Sequence, residues 1–158
     1  MCIRNKLKNI LDLSTQSEIK RRITALNDKS IRLWGKMSVN EMICHCSDQM
    51  KMAVGEIPTK YVGNFFLKSF VKHLILLGMP APKGKVKTVP ELKQGVKGTI
   101  PTTIEQDKKT LLSFVQTFKN KIDKNSNVVH PAFGKLTTEQ WARLCYLHLD
   151  HHLKQFSA

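Results

Sequence analysis

The sequence predicts an all-α protein built as a helical bundle. Five segments carry helical periodicity, while alternating runs typical of strands and internal repeats are both missing. The 158 residues fit one domain, residues 1–158, and the content of 41% hydrophobic and 24% charged residues is an ordinary globular balance. Such a chain is long enough to bury a core without disulfides or a structural metal.

The first two helices are marked by their starts. Ser14 or Ser17 caps a first helix that runs to about Leu26. The segment from Ser38 to Glu41 has the pattern of a capping box, which opens a second helix to about Val54.

A third helix is predicted from roughly Asn64 to Leu77, with Gly78 as its stop. Its apolar run is shorter than a membrane span and is interrupted by Lys68 and Lys72. The run therefore indicates a buried helix of the bundle.

Two loops and two helices complete the prediction. The segment Pro80–Pro101 is rich in proline, glycine and lysine. It is either a lid or cover over one end of the bundle or a plain surface crossover, with room for a short extended piece within Val86–Val96. A fourth helix opens at Thr102–Glu105 and runs to about Lys121. After a loop at Asn125–Lys135, a capping box that begins at Thr137 opens the last helix, which runs to about Phe156.

The net charge of +14 is spread along the chain and has few aromatic residues beside it. This pattern favours a solvated basic surface over a nucleic-acid or membrane partner. The cysteines, at positions 2, 44, 46 and 145, form no disulfide framework, and the N-terminus has no export signal. Reduced thiols and a cytoplasmic location are therefore expected.

Histidines supply the candidate site. His148 and His152 are one helical turn apart, a spacing at which two imidazoles can chelate one ion, although His148 and His151 form a competing pair. His45 lies on the inward stripe of the second helix. Three imidazoles would bind a divalent ion and leave a position for water or substrate.

The other histidines and cysteines are assigned structural roles. His73 is predicted at the surface or its boundary, and His130 is expected to fix its loop by a hydrogen bond. Cys46 and Cys145 are interpreted as small buried hydrophobes.

Three stretches, LWGKMSVNEMICHCSDQMKMAVGE, PAPKGKVKTVPELK and HPAFGKLTTEQWARLCYLHLDHHLKQF, resemble the DinB-like (YfiT-like) superfamily over most of the chain. The resemblance implies a four-helix bundle, here with an extra short helix and long connecting loops. It implies His45, His148 and His152 as the metal ligands, with Gln155 as the glutamine that follows them. It also implies a metal-dependent enzyme, either a hydrolase or a transferase that uses a small thiol.

The carboxylates near His45 are Glu41, Asp48 and Glu56, and none is a convincing general base. A low-molecular-weight thiol is therefore the favoured small-molecule substrate, because the metal itself would activate it. Zinc and nickel are the favoured ions among those that suit imidazole. The alternative is a non-catalytic module that binds a metal or small ligand, and a homodimer is compatible with the sequence.

Overall fold

Helices dominate the computed structural model, which describes residues 7–80, 82–83, 88–122 and 128–158. In chain order the elements are α1 (Leu13–Ala25), α2 (Val39–Ala53), a π-helical turn (Leu67–Val71), α3 (Lys72–Leu77), a 3-10 helix (Pro90–Leu92), α4 (Ile104–Ile122), β1 (Val129–His130), β2 (Gly134–Lys135) and α5 (Thr138–Gln155). The prediction of an all-α bundle is confirmed.

Both predicted capping boxes are present. Ser38 accepts a hydrogen bond from the amide of Glu41, whose side chain bonds back to Ser38, and Thr137 and Gln140 repeat the arrangement at α5. The cap predicted for α1 is wrong, because the N-cap residue is Asp12. Ser17 lies inside the helix, where its hydroxyl donates to the carbonyl of Leu13.

The core lies where α2 packs against α4 and α5. Fully buried side chains from these helices include Ile43 and Met50 of α2, Val115 and Phe118 of α4, and Leu149 of α5. Burial of each such side chain contributes about 1.5–3 kcal/mol relative to exposure. The core therefore holds α2 and α5 in a fixed relation, and these two helices carry the candidate histidines.

The helix predicted as a buried element of the bundle is exposed, and that prediction is wrong. The π-helical turn and α3 together form what we call the outer helix, Leu67–Leu77, and it has no buried residue. Only its inner side packs on the core, through Val71, Ile75 and Leu76. Gly78 ends it in the left-handed conformation, with φ of 105°, as the sequence predicts.

The predicted loop before α5 contains a small hairpin. Val129 pairs with Lys135 and His130 with Gly134, and two residues per strand are too few to produce an alternating pattern. Asn125, at the predicted start of this loop, lies outside the described residues, as do Cys2 and Val86. Among the described helices, none has the length and apolar character needed to cross a membrane.

Candidate metal centre

Three histidines from two helices converge in the core of the bundle. His45 comes from α2, and His148 and His152 come from α5. Each pair of rings has its centroids within 4.9 Å, and one candidate ligand atom from each residue lies within 4.8 Å of the other two. This cluster could hold a metal ion.

The choice between the two histidine pairs of α5 is decided by packing. His152 is buried and belongs to the cluster. His151 turns toward Trp34, with its ring edge-on at a centroid distance of 5.7 Å. The structure therefore groups His152, and not His151, with His45 and His148.

Two of the three rings have a fixed tautomer. Nδ1 of His45 lies 2.9 Å from the carbonyl oxygen of Leu92, and Nδ1 of His152 lies 2.8 Å from Oε1 of Gln155. Because these oxygens accept hydrogen bonds, each Nδ1 carries the proton and each Nε2 keeps its lone pair. The Nε2 of His45 lies 3.1 Å from Nε2 of His148. The Gln155 amide is itself oriented by donating to the carbonyl of Trp34 at 2.7 Å.

Burial keeps the cluster neutral. It lowers the pKa of His45, and it lowers that of His152 to about 3, with repulsion from His45 adding to the effect. The pKa of His148 is also well below its ordinary value, because of burial and then of repulsion from His152 and His45. Neutral imidazole is the form that binds metals.

Burial affects the thiols near the cluster in the opposite direction, because it raises their pKa values. Burial raises the pKa of Cys145 to about 12, and that of Cys46 is also raised. Cys44, Cys46 and Cys145 are free, buried and protonated at neutral pH, as expected of small hydrophobes rather than ligands.

Two buried polar groups beside the cluster are unsatisfied. Among the residues that the structure describes, Nδ1 of His148 has no hydrogen-bond partner, and neither atom of the Gln49 amide has one of ordinary geometry. Gln49 nevertheless lies close enough to Cys145 to oppose, in part, the effect of burial on its pKa.

Asp48 fastens the Pro80–Pro101 segment to α2. This fully buried carboxylate accepts hydrogen bonds from the amide of Thr99 at 2.7 Å, from Gln94 at 3.0 Å and from Lys51 at 3.1 Å, with a further one from the Thr99 hydroxyl. The same segment delivers the Leu92 carbonyl to His45. The described part of this segment is therefore held against α2, and we call it the strap. Residues 81 and 84–87, on which the lid hypothesis also depends, lie outside the described residues.

His130 fixes its own loop, as predicted. Its Nδ1 accepts from the amides of Ala132 and Phe133, both at 3.1 Å, and its ring stacks on that of Phe133. Burial lowers its pKa to about 4. His73 is exposed, in agreement with its predicted surface position.

The three carboxylates considered as general bases are engaged elsewhere. Glu41 belongs to the capping box of α2, Asp48 holds the strap, and Glu56 pairs with Lys121 at 2.6 Å. The expectation that none is a convincing base agrees with these contacts.

Comparison with known families identifies the chain. Residues 5–158 match the family described as protein of unknown function (DUF1569), and the chain belongs to this family. The predicted membership of the DinB-like superfamily is wrong, because DUF1569 is a distinct family. No curated protein and no solved structure gives a match. The candidate site therefore rests on its own geometry.

Proposed function

We propose that this DUF1569 protein binds one divalent metal ion through Nε2 of His45, His148 and His152, with a remaining position open to a small ligand. The observation that carries the proposal is the convergence of the three rings while Nδ1 of His45 and of His152 donates to a fixed acceptor. Such outer partners orient metal-binding imidazoles and raise their basicity.

The spacing of the nitrogens supports the proposal. Nitrogens bound about 2.0–2.1 Å from a tetrahedral ion lie about 3.3 Å apart. Nε2 of His45 and Nε2 of His148 are 3.1 Å apart. The three candidate ligand atoms lie within 4.8 Å of one another, so the rings would close in around a bound ion. Zinc and nickel suit an all-imidazole set.

A bound ion of this kind lowers the pKa of a coordinated water or thiol. The chain's own residues favour the thiol, because Glu41, Asp48 and Glu56 are held in other contacts and do not act as bases here. Lys83 lies 4.4 Å from the centroid of the Trp34 ring, which neighbours His151 beside the cluster. Its positive charge would favour an anionic ligand such as a thiolate. We therefore favour a transferase that uses a low-molecular-weight thiol over a hydrolase.

Metal content of the purified and metal-loaded protein tests the site. We expect one ion per chain in the wild type and loss of the ion in His45→Ala, His148→Ala and His152→Ala. His151→Ala and His73→Ala are matched controls that should retain it. Equal metal content in all six proteins would refute the site.

A cobalt-substituted sample separates an open site from a closed one. Addition of 2-mercaptoethanol should change the visible absorption of Co²⁺ if the thiol occupies a free position. An unchanged spectrum in a protein that holds cobalt through the three histidines would favour a non-catalytic metal-binding module instead.

A further inference from the structure

The outer helix and the residues beside it present large apolar side chains to solvent. Phe65 is 83% exposed, Phe66 60% and Phe70 55%, and Leu77 is 70% exposed. We call these four residues the apolar patch. An exposed cluster of this kind on a folded protein marks an interaction surface.

The patch follows from the way the outer helix packs. Phe66, Phe70 and Leu77 are separated by four and seven residues, which places them on one side of a helix, and the two phenyl rings stack with centroids 5.4 Å apart. The opposite side, with Val71 and Ile75, is the one that meets the core. The outward apolar side thus has no place in the bundle.

The sequence on either side of the patch carries charge of one sign. From Ile57 to Pro90 the sequence contains six lysines and no aspartate or glutamate, although the whole chain has 12 acidic residues. Lys68 and Lys72 belong to the outer helix itself. Exposed phenylalanines with lysines, in a stretch of sequence without acidic residues, are the composition of a helix that lies in a membrane interface.

We propose that the apolar patch inserts into the surface of a bilayer that contains anionic lipids. The phenyl rings would enter the boundary between headgroups and acyl chains, while the lysines contact the anionic headgroups. A second copy of the chain is a poorer occupant, because pairing two outer helices would bring Lys68 and Lys72 of one copy against those of another, in chains that each carry a charge of +14. This proposal revises the expectation that no membrane partner exists, and it is independent of the metal site.

Co-sedimentation with vesicles tests the proposal. We expect the full-length protein to sediment with vesicles of equal parts phosphatidylcholine and phosphatidylglycerol, much less with phosphatidylcholine alone, and less as salt is added. Phe66→Ser combined with Phe70→Ser should lower the partition coefficient by about tenfold or more, because two rings no longer leave water.

Matched variants test whether vesicle binding depends on the apolar patch itself or on exposed apolar and basic residues in general. Ile31 and Ile100 are also exposed apolar residues, at 72% and 80%, so Ile31→Ser combined with Ile100→Ser should bind like the wild type. Lys68→Glu with Lys72→Glu should weaken binding to anionic vesicles. Lys109→Glu with Lys119→Glu, on exposed positions of α4, should weaken it less.

Three results would overturn the proposal. They are failure of the wild type to bind anionic vesicles, equal binding by the Phe66 and Phe70 double variant, and equal losses for the two lysine pairs. Sedimentation equilibrium on the same proteins detects the competing occupant. A dimer that the phenylalanine substitutions dissociate, together with no vesicle binding, would assign the patch to self-association.

Discussion

Helix α2 and the outer helix invert the expected relation between hydrophobicity and burial. α2 carries His45, Asp48 and Gln49, yet eleven of its fifteen residues are buried. The outer helix carries Phe70, Leu77 and other apolar side chains, yet none of its residues is buried. The difference shows that the available partners, rather than the hydrophobicity of a helix alone, decide where it lies.

The partners of the two helices explain the contrast. α2 is covered by α4, by α5 and by the strap, which supplies hydrogen bonds to Asp48 and His45. Buried polar groups are tolerated when such bonds replace those to water. The outer helix packs against α5 on one side, while Phe70 and Leu77 on its other side stay in solvent.

The largest expected effect comes from removing Asp48, the hydrogen-bond acceptor that allows the polar helix α2 to be buried. Asp48→Ala should lower the free energy of unfolding by about 4 kcal/mol, because it leaves buried donors without an acceptor. It should also weaken metal binding by about tenfold, since the strap positions the Leu92 carbonyl against His45. Chemical denaturation and metal titration measure the two effects.

Lys51→Ala is the control for the Asp48 variant, because it removes only a partly exposed donor of the same network. We expect it to lower the free energy of unfolding by less than about 1 kcal/mol. Equal effects of the two substitutions would show that Asp48 does not hold the strap.

A pair of truncations compares the helices directly. Met50→Ala in α2 should lower the free energy of unfolding by about 3 kcal/mol, because Met50 is fully buried and its loss leaves a cavity. Phe66→Ala removes a larger side chain, yet the expected change is below about 0.5 kcal/mol, because Phe66 is exposed. Comparable losses in thermal or urea unfolding would mean that Phe66 packs against the protein.

A small effect is also expected at Gln49, a buried polar residue of α2. Gln49→Leu removes an amide with no hydrogen bond of ordinary geometry and keeps a similar volume, so the free energy of unfolding should change by less than about 1 kcal/mol. A loss of several kcal/mol in urea unfolding would reveal a buried partner for the amide.

Local patterns in the sequence were sufficient for several features of the fold. The capping boxes at Ser38 and Thr137 and the stop at Gly78 are interactions between residues close in the chain, so they could be predicted. The candidate ligands could be proposed because His148 and His152 are one helical turn apart. Their convergence with His45 remained an expectation, because residues distant in sequence meet only through packing.

Other features could not be predicted from the sequence. The Leu92 acceptor is a main-chain carbonyl, which every residue type possesses, and the role of Asp48 depends on donors about fifty positions away. The outer helix was predicted to be buried from its composition, which does not report how many sides a bundle can cover. The family resemblance was also wrong, although it pointed to the same three histidines.

The sequence by itself determined the helical class, most helix ends and the spacing of the two histidines on α5, because these depend on interactions within a turn or two of the chain. Tertiary structure decided that His152 rather than His151 joins His45, that a strap orients the site, and that an apolar helix stays outside. These outcomes depend on which distant surfaces meet, and on whether the polar groups buried there find hydrogen-bond partners.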